Sequence, residues 1–102
     1  IDWALGAKQI HAKIRALNPV PGAWSNLNEQ VIKIWASKVL EQSSDVAIGS
    51  IVAADKQGIA VQTGAGVILI TELQASGSKR MAAAAFVAGH ADLMGQQFER
   101  QA

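Results

Sequence analysis

From Gly49 to Leu73 the chain repeats one pattern, a short run of β-branched and small apolar residues followed by a turn built on glycine. Gly49–Ala54 leads into Asp55-Lys56-Gln57-Gly58, Ile59–Thr63 leads into Gly64-Ala65-Gly66, and Val67–Leu73 follows. Runs this short cannot bury a helical stripe, but they suit strands that turn back on themselves. Upstream, Trp24–Leu27 and Val31–Leu40 add two further strands, with Asn28-Glu29 as the hairpin tip and Glu41–Val46 as a polar connection. Five strands with one interrupting connection match the architecture of the oligonucleotide-binding (OB) barrel. A chain of 102 residues suits one domain.

The strand region is flanked by helical patterns. Gly6 opens a segment in which Ala7, Ile10, Ile14 and Leu17 recur at steps of three and four and so share one face. Asn18-Pro19 ends it, because a residue before proline is pushed out of the helical region, and Pro19–Gly22 is a stiff turn. At the other end, the alanine run Met81–Ala88 has high helix propensity and Gly89 closes it. Residues 90–102 read as a frayed helix or a tail. The expected fold is therefore mainly β: a small five-to-six-stranded OB-like barrel with an N-terminal helix and a C-terminal helix. In Val31–Leu40, simple alternation puts Ile32, Ile34, Ala36 and Leu40 on one face. Lys33 and Ser37 fall on the other, with Val31, Trp35 and Val39.

No self-contained active site is legible. Cysteine is absent, which removes thiolate ligands and nucleophiles and agrees with a reducing cytosol. His11 and His90 stand apart, without the spacing or carboxylates of a metal site, so no metal is expected. The serines lack a nucleophile-elbow context. Gly64-Ala65-Gly66 lies between two strand patterns and reads as a hairpin rather than a phosphate loop. No apolar run approaches the roughly 20 residues of a membrane span, and no basic leader with an apolar core opens the chain. It starts on Ile1 rather than on methionine, as a piece of a longer protein would.

The formal net charge of +1 is unevenly spread. Lys8, Lys13, Arg15, Lys33 and Lys38 outnumber the acids of residues 1–38, whereas Glu41, Asp45, Asp55 and Glu72 dominate residues 39–76. Residues 77–102 carry Lys79, Arg80 and Arg100 against Asp92 and Glu99. From charge alone this is an ordinary mixed surface, with a basic face toward a polyanion as the alternative. The strongest local signal is Ser76-Gly77-Ser78-Lys79-Arg80, where small residues and adjacent cations suit a close approach to phosphate. Without further information a solvated turn is the default. For Trp24 and Trp35 core packing is expected, with base stacking as the alternative.

Several stretches, in order and register, resemble methionyl-tRNA formyltransferases. Ile1-Asp2-Trp3 is similar to the end of that family's interdomain linker, which implies a linker end over residues 1–5. Ile14–Trp24 is similar to its IRALNPxPGA-type segment. Val31–Ala36 resembles its VKIW strand, Gly49–Val52 a GTIL-like strand with Asp55–Ile59 as the turn after it, and Leu73–Met81 its LQxxGKKRM segment. The resemblance implies the non-catalytic, tRNA-binding C-terminal domain of an enzyme that formylates methionine on initiator tRNA in the cytoplasm. The folate donor, 10-formyltetrahydrofolate, and the catalytic residues would belong to an N-terminal domain outside this chain, so no catalytic or cofactor-binding residue is expected here. By position, Lys79 and Arg80 become the leading tRNA contacts and Arg15, Lys33 and Lys38 secondary ones. Ser78 replaces a common lysine, and Ala82 replaces a Ser or Thr that often caps the last helix. The competing expectation is an accessory domain of a sugar-nucleotide or other small-metabolite formyltransferase, in which the apolar start, Ile1–Leu5, packs on the partner domain and RNA is ignored.

Overall fold

The computed structural model describes residues 1–42, 45–90 and 92–99. Arg100 and the last residues of the segment read as a helix or tail lie outside the described residues. In chain order the elements are α1 (Ala7–Leu17), β1 (Ala23–Leu27), β2 (Gln30–Leu40), β3 (Ile51–Asp55), β4 (Gly58–Gln62), β5 (Val67–Ala75), β6 (Met81–Ala82) and α2 (Ala83–Ala88). The strands form one antiparallel six-stranded sheet in the order β1-β2-β5-β4-β3, with β6 added to β5. This is the mainly β fold with a helix at each end that the glycine-punctuated runs imply.

Local chemistry accounts for most of the elements. The β1–β2 hairpin closes at Leu27↔Gln30, and Asn28 and Glu29 both take positive φ, as a two-residue turn between twisted strands requires. Helix α1 starts where the Gly6 amide donates to Gln9 Oε1 at 3.0 Å, and it buries Ala7, Ile10 and Ile14 against β2. Leu17, the last residue of the apolar stripe, stays partly exposed. The Pro19–Gly22 turn contains two cis X-Pro bonds, at Asn18-Pro19 and Val20-Pro21.

At four points the structure corrects or adds to the reading of the sequence. First, β2 is not a simple alternation. Register shifts around Ala36 reverse its phase, so Ile32 and Ile34 face the core before the bulge and Ser37 and Val39 after it. Ala36 and Leu40 therefore do not share the face of Ile32; Leu40 instead packs with Ala60, Val67 and Leu69 in a small cluster on the outer side of the sheet. Second, Met81 and Ala82 are strand, paired with Leu73 and Glu72 of β5, and the helix begins only at Ala83. Pairing to an existing strand outweighs the helix preference of the alanine run. Ala82 takes the N-cap position without a side-chain cap, as the departure from Ser or Thr implies.

Third, the segment read as a linker end carries a fully buried tryptophan. Trp3 is 0% exposed, donates from Nε1 to Ser25 Oγ at 2.9 Å, and lies 4.9 Å from the ring of Phe98. It sits in the turn closed by the Leu5 amide on Asp2 O, and Gly64 holds this turn by donating its amide to the carbonyls of Trp3 and Leu5, both at 3.0 Å. A Cβ on Gly64 would lie 1.8 Å from the Ala4 carbonyl oxygen, so only glycine permits this approach. Fourth, residues 92–99 are neither helix nor free tail. The Ile51 amide donates to Gln96 O, the Phe98 amide to Gly49 O and the Glu99 amide to Asn26 O. This extended segment thereby bridges β3 and β1, the two edges of the sheet, and seats Leu93 and Phe98 in the core.

Phe98→Ala is expected to lower unfolding stability by about 3–5 kcal/mol, the usual cost of truncating a buried aromatic. A urea melt of this variant showing a loss below about 1 kcal/mol would return residues 92–99 to the status of a tail.

Candidate nucleic-acid interface

Alternation along three neighbouring strands builds the outer face on which the candidate cations stand. Trp24 of β1 lies directly opposite Lys33 of β2, and Lys33 lies opposite Gln74 of β5. One step further along β2 comes Trp35, whose Nε1 donates to Gln74 Oε1 at 3.2 Å and so stands on the same face. The stem of Lys33 runs past Gly22, where a Cβ would meet Lys33 Cε at 3.2 Å, and its ammonium lies 5.1 Å from the centroid of the Trp35 ring. From the other side Arg80 brings its guanidinium carbon to 4.5 Å from the same ring. Both distances fall within the range in which a cation is attracted to an indole face.

Arg80 also meets Glu72 of β5, hydrogen-bonding and ion-pairing through Nε to Oε1. Bonding through Nε leaves the two terminal nitrogens of the guanidinium fork available to another acceptor. The turn ahead of Arg80 is fixed as well. The Ser78 amide donates to Ala75 O at 3.0 Å, Gly77 at position three takes φ +80°, and Gln74 Nε2 donates to Ser78 O at 2.9 Å. Gln74 thus ties Trp35 to the turn. Lys79 and Arg80 are both exposed, and Lys33 is half-buried.

The five candidate cations do not form one group. Lys33 and Arg80 converge on Trp35, with Lys79 adjacent to Arg80 in the chain. Lys38 is exposed beyond the β2 bulge, opposite Leu69, about 16 Å along the strand from Lys33. Arg15 is exposed in the last turn of α1. Its neighbours one turn away are tethered to β2: His11 Nδ1 lies 2.8 Å from Ser37 Oγ, and Asn18 Nδ2 donates to Trp35 O at 3.2 Å. Arg15 therefore stands on α1, apart from the Lys33–Trp35–Arg80 group.

Expectation and structure differ most at the tryptophans. Trp24 is 50% exposed and Trp35 is half-buried on the outside of the sheet, whereas core packing was expected for both. Glu72 and Gln74 went unrecognised as parts of this surface, although their i, i+2 spacing places them on one face of β5. Among the described residues no group of three or more His, Asp or Glu side chains is placed to hold a metal ion. No described helix is long and apolar enough to cross a membrane.

A family model for the formyl transferase C-terminal domain matches residues 1–91. The chain belongs to this family. Among relatives of this formyl transferase C-terminal domain, the methionyl-tRNA formyltransferase of Syntrophomonas wolfei subsp. wolfei is 43% identical over 89 residues, covering 87% of this chain and 28% of that protein. The methionyl-tRNA formyltransferase of Nitrosomonas eutropha is 38% identical over 100 residues, covering 98% of this chain and 32% of that protein. The chain thus spans about a third of the length of these relatives. Among solved structures, HypX from Aquifex aeolicus in complex with tetrahydrofolic acid superposes with a TM-score of 0.76 at 18% identity, over 92% of this chain and 17% of HypX. A multiply substituted HypX variant superposes with a TM-score of 0.71 at 19% identity, over 87% of this chain and 16% of the variant. The HypX likeness establishes the shared fold.

In this formyl transferase C-terminal domain, Glu72→Gln is expected to change stability by less than about 1 kcal/mol, because the ion pair with Arg80 is partly exposed. Thermal melts at low and high salt test this. A loss above about 2 kcal/mol would make Glu72 a structural anchor of β5 rather than a neighbour that orients Arg80.

Proposed function

We propose that this domain holds initiator methionyl-tRNA by its backbone for a catalytic domain carried elsewhere in the same protein. In this reading residues 1–102 form one domain, residues 1–5 are the end of the linker, and the whole enzyme acts in the cytoplasm. The partner domain transfers a formyl group from 10-formyltetrahydrofolate to the methionyl amino group, and this chain contributes binding and placement rather than catalysis. The observation that carries the reading is the convergence of Lys33 and Arg80 on Trp35, with exposed Lys79 beside them, in a family whose relatives are named for a tRNA substrate. Cations clustered on a surface displace the counterions condensed on a polynucleotide, and that release favours association.

The alternative is an accessory domain of a formyltransferase that acts on a small metabolite. It draws support from the Arg80–Glu72 pair, which offsets one of the three cations. It also draws support from the partly apolar groove where Ile1, Leu5, Leu17 and Trp24 meet, a surface on which a preceding domain could pack. Trp3, however, is committed to this domain's own core.

Titrating the protein with bulk tRNA at rising salt separates the two readings. Backbone binding predicts that log K falls linearly with log salt. Lys79→Ala combined with Arg80→Ala is expected to weaken binding on the order of tenfold and to reduce that slope by about 2, near one per lost phosphate contact, with an unchanged thermal melt. A flat, salt-independent response at low ionic strength would favour the accessory reading.

A further inference from the structure

The outer face of β1 and β2 carries a feature that backbone binding leaves unused. Trp24 is 50% exposed and projects outward from β1, directly across from Lys33. Diagonally adjacent on β2, Val31 is also outward and 43% exposed; it is paired with Asn26, two residues on from Trp24. Between Val31, Lys33 and Gln74 lies a shallow depression whose far wall is Ser76-Gly77, the turn leading to Lys79. An indole left half in water costs solvation free energy, since apolar area is best removed from water. The neighbouring charge selects what would cover it. Lys33 is opposite, Arg80 lies beyond Trp35, Lys79 follows the turn and Lys13 lines the groove beside Trp24, against the carboxylates of Glu72 and of Asp2 in that same groove.

We propose that Trp24 is a stacking platform for one unpaired nucleobase of a bound RNA strand, whose flanking phosphates run toward Lys33 and Arg80. This rests on the tRNA-binding reading and narrows it, because a base can stack on Trp24 only where the RNA is not paired. Trp24 and Trp35 are diagonal cross-strand neighbours, roughly 7–8 Å apart, so one nucleotide spans the step from the indole of Trp24 to the cations around Trp35. The contact is tolerant of sequence. Gln74, across Lys33 from the platform, already donates to Ser78 O and accepts from Trp35 Nε1. The stacking itself uses the π-face that every base possesses. Trp35 does not share this role, because its ring already carries Lys33 and Arg80.

The test compares single-stranded oligoadenylate with a blunt RNA duplex of equal phosphate number, binding to the wild-type protein and to Trp24→Leu and Trp24→Phe. Stacking predicts that the single strand quenches tryptophan emission in the wild type and not in Trp24→Leu. It also predicts that Trp24→Leu weakens single-strand binding on the order of tenfold, leaves duplex binding unchanged, and is largely rescued by Trp24→Phe. Near-UV circular dichroism from buried Trp3 checks that each variant keeps its core. If Trp24→Leu binds both RNAs as the wild type does, stacking is refuted and the backbone reading survives. If the wild type binds neither RNA at low salt, both readings fall together.

Discussion

The contact between Trp3 and Phe98 underlies the rest of the structure. A six-stranded sheet of short strands has two unpaired edges and cannot by itself shield a core on every side. Here the first residues and residues 92–99 supply the missing walls. Trp3 fills the interior from one direction and Phe98 from the other, their rings 4.9 Å apart. The Gly95 amide and the Gln96 carbonyl bind Ile51 of β3, and the Glu99 amide binds Asn26 of β1, so this segment joins the two strands. With the interior sealed, β4 can be buried along its whole length, facing the main core on one side and the smaller Ala60-Val67-Leu69 cluster on the other.

The outer face with the cations follows from the same sheet. The bulge in β2 ends one stretch of alternation after Ile34 and starts another at Ser37. Before the bulge, the outward positions are Val31, Lys33 and Trp35; after it, they are Lys38 and Leu40. The irregularity therefore divides the strand's exterior into an aromatic and cationic half and a half that packs on the outer apolar cluster. It also explains why Lys38 stands apart from Lys33 although both face outward.

Much of this was legible in the residues. Steps of three and four in α1, the Asn28-Glu29 tip and the glycine turns each encode a local geometry, and local geometry is what sequence pattern reports. The unread parts were non-local. No pattern in Ile1–Leu5 signals that Trp3 will meet Phe98, nearly a chain length away. In β2, apolar residues on both faces conceal a phase change, because either phase buries something. Met81 and Ala82 look helical until β5 is present to pair with them. Lys79 and Arg80 were found from adjacent charge. The role of Trp35 depends on cations arriving from a neighbouring position on its own strand and from a different segment altogether, so only the folded arrangement exposes it.

The anchoring of the Ala75–Ser78 turn has a consequence for the speed of recognition. Gln74 holds the turn through Ser78 O and holds Trp35 through its indole, so the basic segment is tied to the sheet by side-chain hydrogen bonds. A mobile basic loop would lose rotational freedom on capture, and its affinity would be lowered by that ordering. A preset one meets its partner as a fixed electrostatic template. In the proposed tRNA-binding role, encounter would then be governed by long-range attraction and orientation rather than by waiting for a competent loop conformation, the regime of fast, salt-sensitive association.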